Sequence, residues 1–218
     1  MSSYYQKTLR NLKYKVMKTL AKTLFATAFT AVLFASSVAT TFAADSAPLA
    51  KTSSVKNVKR IWVSGNVKVI LTQGDKESIK GSENYDASKT SVTSNGNTLY
   101  INSMESQQVT LNITVKDLER VEAHGQSVVV TSNNFDVKNL QLFLSQSATA
   151  KMKTTATSLY TIVKEDAVLK LNGTAMESTM IASNMKNVKL GDFASRKSAS
   201  FIADDVINAD KVAMTLAK

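Results

Sequence analysis

From Val55 onward, apolar and polar residues alternate on a period of two, and no segment keeps helical spacing for three turns. In "VKVILTQG", Val67, Val69 and Leu71 fall on one face. Leu99 and Ile101 do the same in "TLYINS", and Val109, Leu111, Ile113 and Val115 in "VTLNITV". "VKRIWVSG" alternates through Val58, Arg60/Ile61 and Val63. Successive side chains of an extended chain point to opposite sides, so this pattern predicts strands with one face buried. Asn95-Gly96-Asn97 separates "KTSVTS" from "TLYIN" and predicts a tight hairpin, because its central residues tolerate positive φ. The fold class is all-β.

The second half adds a repeat. Ala150-Lys151-Met152, Leu169-Lys170-Leu171 and Val188-Lys189-Leu190 stand 19 residues apart, with Ile207-Asn208-Ala209 one step further and Val130-Thr131-Ser132 20 residues before the first. A second column runs Phe143, Ile162, Ile181, Phe201, at spacings of 19, 19 and 20. Fixed periods of this size mark stacked units, none of which buries its apolar face alone. A β-sandwich with strands every 8–12 residues would give coincidences near twice that spacing, but two columns in one register favour the stack. Because the units are short and strand-like, and parallel crossovers are right-handed, the expectation is a right-handed parallel β-helix. Its coils hold about 19–20 residues, with an antiparallel hairpin element near the N-terminal end.

On this register "AHGQ" enters a coil at a corner, with Val128 and Val130 about one coil before Ala148 and Ala150. Gly125 supplies a turn geometry that a side chain resists. His124, the only histidine, then lies at a bend. Catalysis or metal binding by an imidazole needs further ligands or an orienting acid, and the chain offers no second histidine and no cysteine.

"VKRIWVSGNVKVILTQGDKESIKG", "NGNTLYINS" and "LERVEAHGQSVVV", taken in order, resemble the putative auto-transporter adhesin head GIN domain family. The matching features are an apolar strand (Ile61 to Val63), a glycine turn at Gly65, and a strand from Val67 ending in Gln73-Gly74. A hairpin arm, Asn97-Thr98-Leu99-Tyr100-Ile101, and a corner with Leu118, Val121 and Gly125 follow. Members often carry a proline ahead of the corner, where this chain has Val115-Lys116-Asp117. The resemblance covers about Val55 to Val212. It implies an exported β-helical envelope protein with adhesion as its role, and it brings no catalytic residue.

Composition changes the picture mainly at the N-terminus. Lys7, Arg10, Lys13, Lys15, Lys18 and Lys22 form a basic lead without acids, followed by the apolar run Thr23 to Ala35 and small residues up to Ala43. Residues 1–43 read as a secretory signal peptide, cleaved after Ala43 or Ala39 and initiated at Met1 or Met17. The apolar run is shorter than the roughly 20 residues of a membrane span. Residues 44–54 read as a flexible lead-in and 55–218 as one domain. The leader holds six of the 27 basic residues and none of the 17 acidic ones, leaving a balance of about +4 in the mature chain. That excludes a nucleic-acid footprint, which needs a clustered basic domain. With no cysteine there is neither a disulfide nor a lipid-bearing residue, so the expected location is periplasmic, secreted or cell-surface, without a lipid anchor.

The candidate ligand-binding residues are the stacked lysines Lys151, Lys170 and Lys189 and the loop aromatic Tyr85. The lysines could take an acidic polysaccharide or the phosphates of a lipopolysaccharide; the other reading is a solvated face whose alkyl stems shield the sheet. Trp62, between Ile61 and Val63, reads as half-buried packing, with stacking on a sugar as its alternative. Acids occur at Glu165-Asp166, Asp192 and Asp204-Asp205, but on the repeat register Asp166 neighbours Ser147 and Met185 and Asp205 lies two coils away. No phosphate-cradling, metal-spaced or serine–histidine–acid pattern occurs. The expectation is a non-enzymatic binding module for a glycan or for another envelope protein, without catalytic residues, metal or cofactor. The alternatives are a structural envelope protein self-associating through a solenoid end and, less favoured, a polysaccharide-degrading enzyme.

Overall fold

The computed structural model describes residues 52–53 and 55–203. The leader, Asp204-Asp205 and Ile207-Asn208-Ala209 lie outside the described residues. Among the described residues the fold is all-β, one strongly curled sheet of thirteen strands. In chain order these are β1 (Thr52–Ser53), β2 (Arg60–Gly65), β3 (Val67–Gln73), β4 (Ser78–Gly81), β5 (Thr90–Asn95), β6 (Thr98–Ser103), β7 (Val109–Val115), β8 (Arg120–Ala123), β9 (Val128–Thr131), β10 (Phe135–Leu144), β11 (Thr149–Val163), β12 (Val168–Ala182) and β13 (Val188–Ile202).

The strands line two walls joined by a corner. In the first wall β6, β2, β8 and the C-terminal halves of β10 to β13 run parallel, with β5 antiparallel on the β6 edge. In the second wall β7, β3, β9 and the N-terminal ends of β11, β12 and β13 run parallel, with β4 and then β1 antiparallel beyond β7. The alternating apolar positions meet between the walls: Ile61, Val63, Val121 and Leu142 from one, and Val69, Leu71, Val129, Met152 and Leu171 from the other, are all buried. Burial of each such side chain contributes about 1.5–3 kcal/mol.

The 19-residue repeat is structural: Met152 pairs with Leu171, and Leu171 with Leu190. Phe143, Ile162, Ile181 and Phe201 also pair in sequence. They alternate with the inward Leu142, Val163 and Ala182, so this column lies on the outer side of the first wall. One step of the repeat needs correction. Ala150 pairs with Val129, at an offset of 21, and Lys151 with Val130. Val128 and Val130 therefore face outward, half-buried. The cause is the longer connection Ser132-Asn133-Asn134 between β9 and β10, which the later coils lack.

Chain order and stacking order also diverge. β2 pairs with β8, 60 residues on, and β6 lies on its other side. The β6–β7 pass is thus inserted outside the β2–β3 pass. The Asn95-Gly96-Asn97 hairpin makes this possible: β5 and β6 pair up to Asn95↔Thr98, with Gly96 at φ +56°. Thr52 and Ser53, expected in a flexible lead-in, instead pair with Lys80 and Ile79, where β4 offers open backbone groups.

Gln73 closes a gap in the stack. Its side-chain oxygen accepts the Asp136 N–H at 2.7 Å, and its amide nitrogen donates to the Lys116 and Asp136 carbonyls at 3.1 and 3.0 Å. Asn133 answers with bonds to the Gln73 backbone at 2.8 and 2.9 Å. The primary amide stands in for a peptide unit where β10 begins without a strand beneath it.

Candidate functional site

The outer side of the second wall carries the predicted lysines. Lys151, Lys170 and Lys189 pair directly across β11, β12 and β13, and all three are exposed. Their column continues through Val130 and Ile70 to Asn112 and Lys80. Lys68 and Lys153 stand in the flanking columns. The outward strand positions around them are mostly threonine, asparagine, valine or isoleucine, as at Thr110, Thr149 and Asn172, with one exposed acid, Asp192, on β13 beside Asn172. Among the described residues no carboxylate lies within ion-pair distance of these lysines; the ion pairs use Lys59, Lys89, Lys116, Arg120 and Lys197 instead. Neighbouring strands are about 4.8 Å apart, so adjacent ammonium groups repel by on the order of 1 kcal/mol in water. An anion laid along the column relieves that repulsion.

The corner between the walls is built from backbone in the left-handed region. Gly65, Gly125, Gln146 and Glu165 take φ values of +86°, +67°, +60° and +57°. Gln146 accepts the Gly125 N–H through its amide oxygen at 2.6 Å. His124 stands beside this turn, half-buried, as the corner reading expects. Its Nδ1 lies 2.7 Å from the Ser145 hydroxyl, and its ring centroid 5.4 Å from that of Trp62. Burial holds its pKa below 6.5, against the opposing pull of Glu122 and Glu165. Neither carboxylate hydrogen-bonds the ring. Among the described residues the serine–histidine contact has no third group to orient the imidazole for general-base work.

Tyr85 lies in the loop between β4 and β5, half-buried. Its ring covers Gly81, where a Cβ would meet it at 2.8 Å, and its hydroxyl donates to the Thr90 carbonyl at 3.3 Å. Burial raises its pKa. Tyr85 is therefore far in the stack from the lysine triplet, on the β4 side. Glu165 and Asp166 are exposed on the corner, and Asp192 donates its backbone N–H to the Asn172 side chain. Among the described residues no three His, Cys, Asp or Glu side chains gather as a metal-ligand set.

A feature missed at the level of sequence is the outer side of the first wall. Trp62 pairs with Tyr100 on β6 and Glu122 on β8, and Glu122 with Phe143 on β10. Arg120 bridges this column: its Nε donates to Gln141 at 2.8 Å, its Nη1 to Glu122 at 3.2 Å, and its guanidinium lies 5.0 Å above the Phe143 ring. The signal was present in part, since Trp62 alternates with two core residues and must face out; the neighbours brought by non-sequential pairing were not readable.

Among the described residues no helix is long and apolar enough to cross a membrane. Two solved structures share the fold. A putative adhesin of Bacteroides fragilis matches with a TM-score of 0.63 at 17% identity, over 69% of this chain and 74% of that one. A putative adhesin of Parabacteroides distasonis matches with a TM-score of 0.52 at 14% identity, over 70% and 76%. No curated protein matches by sequence. The model of the putative auto-transporter adhesin, head GIN domain, matches residues 57–213. The chain belongs to that family.

Proposed function

We propose that the protein is an exported, non-enzymatic adhesin-type binding module of the cell envelope, built as a right-handed parallel β-helix. Its ligand is an acidic polysaccharide held along Lys151, Lys170 and Lys189. The 19-residue parallel register supports the helix, with handedness following the rule for parallel crossovers. The basic lead and apolar run before Ala43 support export, and family membership supports adhesion. The observation that carries the ligand is three exposed lysines in direct register, with no carboxylate within ion-pair distance among the described residues, since repulsion retained among them favours an anion. Replacing all three with glutamate is expected to abolish retention on an immobilised acidic polysaccharide such as alginate or heparin. Unchanged retention removes the lysine column as the site.

A second reading, self-association through a solenoid end at β13, the last strand among the described residues, has one observation behind it. Leu190 and Ile202 on β13 are 49% and 45% exposed, although their partners Leu171 and Ala182 are buried. Light scattering over a concentration series separates the two readings, because a mass independent of concentration removes self-association. Turnover of pectin, alginate or glycosaminoglycan, with and without calcium, would replace both readings with a polysaccharide-degrading enzyme.

A further inference from the structure

We infer that the chain has a second, independent ligand surface on the first wall, where Trp62, Tyr100 and His124 form an aromatic ledge for the pyranose rings of a neutral glycan. The ledge goes beyond the lysine reading and shares no residue with it. Outward positions of a solvated sheet are usually polar, yet Trp62 and Tyr100 are direct cross-strand partners on β2 and β6. Their ring centroids are 6.2 Å apart at 46°, and those of Trp62 and His124 5.4 Å at 39°. Tilted in this way, the rings do not stack face to face and consume one another. Tyr100 is 41% exposed. Further along the same column Ile162 and Ile181 are only 7% exposed and Phe143 and Phe201 are half-buried, so Tyr100 is the most open ring of the column.

The polar border selects the ligand. One oxygen of Glu122 is held by Arg120, and Arg120 in turn holds the Gln141 oxygen. Among the described residues nothing bonds the other Glu122 oxygen, the Gln141 amide nitrogen, the Trp62 indole N–H or the Tyr100 hydroxyl. The border therefore offers pre-positioned donors and acceptors, while the Arg120–Glu122 pair adds no net charge. A pyranose has the matching chemistry: a face of C–H bonds for the rings and a rim of hydroxyls that both donate and accept. An anion gains nothing from the neutral pair. A protein partner needs about 800 Å² per side with a desolvated apolar centre, whereas three rings bordered directly by an ion pair form a narrow wet strip.

Trp62 is the only tryptophan, so its fluorescence reports this surface alone. The full chain is titrated with neutral hexasaccharides of glucose, xylose, mannose and N-acetylglucosamine, and calorimetry is run on the same samples. At least one sugar is expected to shift Trp62 emission saturably. Tyr100→Ala and Glu122→Gln, each keeping the thermal transition of the parent, should weaken that sugar by roughly tenfold or more. The Lys151, Lys170 and Lys189 to glutamate triple variant should bind it unchanged, which separates this surface from the acidic-polysaccharide reading. The inference is overturned if no sugar gives an emission change or heat. It is also overturned if binding survives both ledge substitutions, or if only an acidic polysaccharide shifts the emission and the lysine variant abolishes that shift.

Discussion

The outer sides of the two walls share the long strands β11 to β13 and differ in charge and aromatic content. β12 sends Lys170 to one side and, past its bends, Ile181 to the other. On the second wall Lys151, Lys170 and Lys189 form no ion pair among the described residues. On the first, Arg120 is paired with Glu122 and Lys197 with Glu177, and aromatic rings fill the positions between. The difference teaches that the inward positions are held mostly to Val, Leu, Ile, Ala and Met, with Phe135 and a few buried Thr and Ser residues such as Thr154 and Thr161 among them. Outward positions in one register accept charge on one wall and rings on the other, since strand pairing runs through the backbone.

The largest test of this division sets neighbours on one strand against each other. Leu171 is fully buried between Met152 and Leu190. Leu171→Ala is expected to cost about 2–5 kcal/mol in urea unfolding. Lys170→Ala, one residue away, should lie between neutral and about 0.5 kcal/mol stabilising at low salt, because it removes the middle charge of the column. Equal costs would mean that inside and outside have been assigned wrongly.

The corner that separates the walls gives the next effect. Gly65 has φ +86°, and a Cβ there would stand 2.0 Å from the Ser103 carbonyl oxygen. Gly65→Ala combines a disfavoured backbone worth roughly 1–3 kcal/mol with displacement of the β6 strand. Its unfolding free energy should drop by about 3 kcal/mol, and the Trp62–Tyr100 pairing should loosen with it. A loss under about 0.5 kcal/mol, the scale of an ordinary surface change, would show that the corner is not held by this contact.

His124 sits beside the corner and makes it sensitive to pH. Its folded pKa is depressed below 6.5, first by burial. The folded state therefore binds the proton less readily than the unfolded chain. Stability from this group is present above pH 6.5 and declines as pH falls through and below that value, by at most about 1.4 kcal/mol per pH unit for one proton. His124→Gln should lose less stability than the parent between neutral and mildly acidic pH. Because the chain has one imidazole, its NMR titration is a direct check, and a midpoint above 6.5 would refute the burial argument.

How much of this was legible depends on where order in the chain equals order in space. From β10 to β13 each strand pairs with its successor, so Lys151, Lys170 and Lys189 could be aligned by counting 19 residues. The period-two pattern also marked the core positions of β3, β6 and β7 correctly. The stacking of β2 between β6 and β8 was beyond such counting, because a hairpin excursion of irregular length separates the partners. That is why the Trp62–Tyr100–Glu122 grouping stayed hidden. The Gln73 clamp was hidden for a different reason: a side chain imitating a peptide unit leaves no periodic trace.

The smallest effect is the finest probe of the corner. Gly65 and Gly125 already use glycine in the left-handed region, whereas Gln146 and Glu165 hold φ +60° and +57° with side chains. A residue with a Cβ loses roughly 1–2 kcal/mol in that conformation, and glycine gives back about 0.5–1 kcal/mol through its freer unfolded chain. Glu165 is exposed, and its only described hydrogen bond at this turn is through its carbonyl, to Asn187 at 3.3 Å. Glu165→Gly should therefore stabilise the protein by about 0.5 kcal/mol. It should also lower the His124 midpoint further, since one of the two carboxylates that raise it is gone. Gln146→Gly should bring no such gain, because it loses the bond that holds the Gly125 N–H at 2.6 Å. If both glycines stabilised equally, the amide would have no part in shaping the corner, and the separation of the two walls would rest on backbone conformation alone.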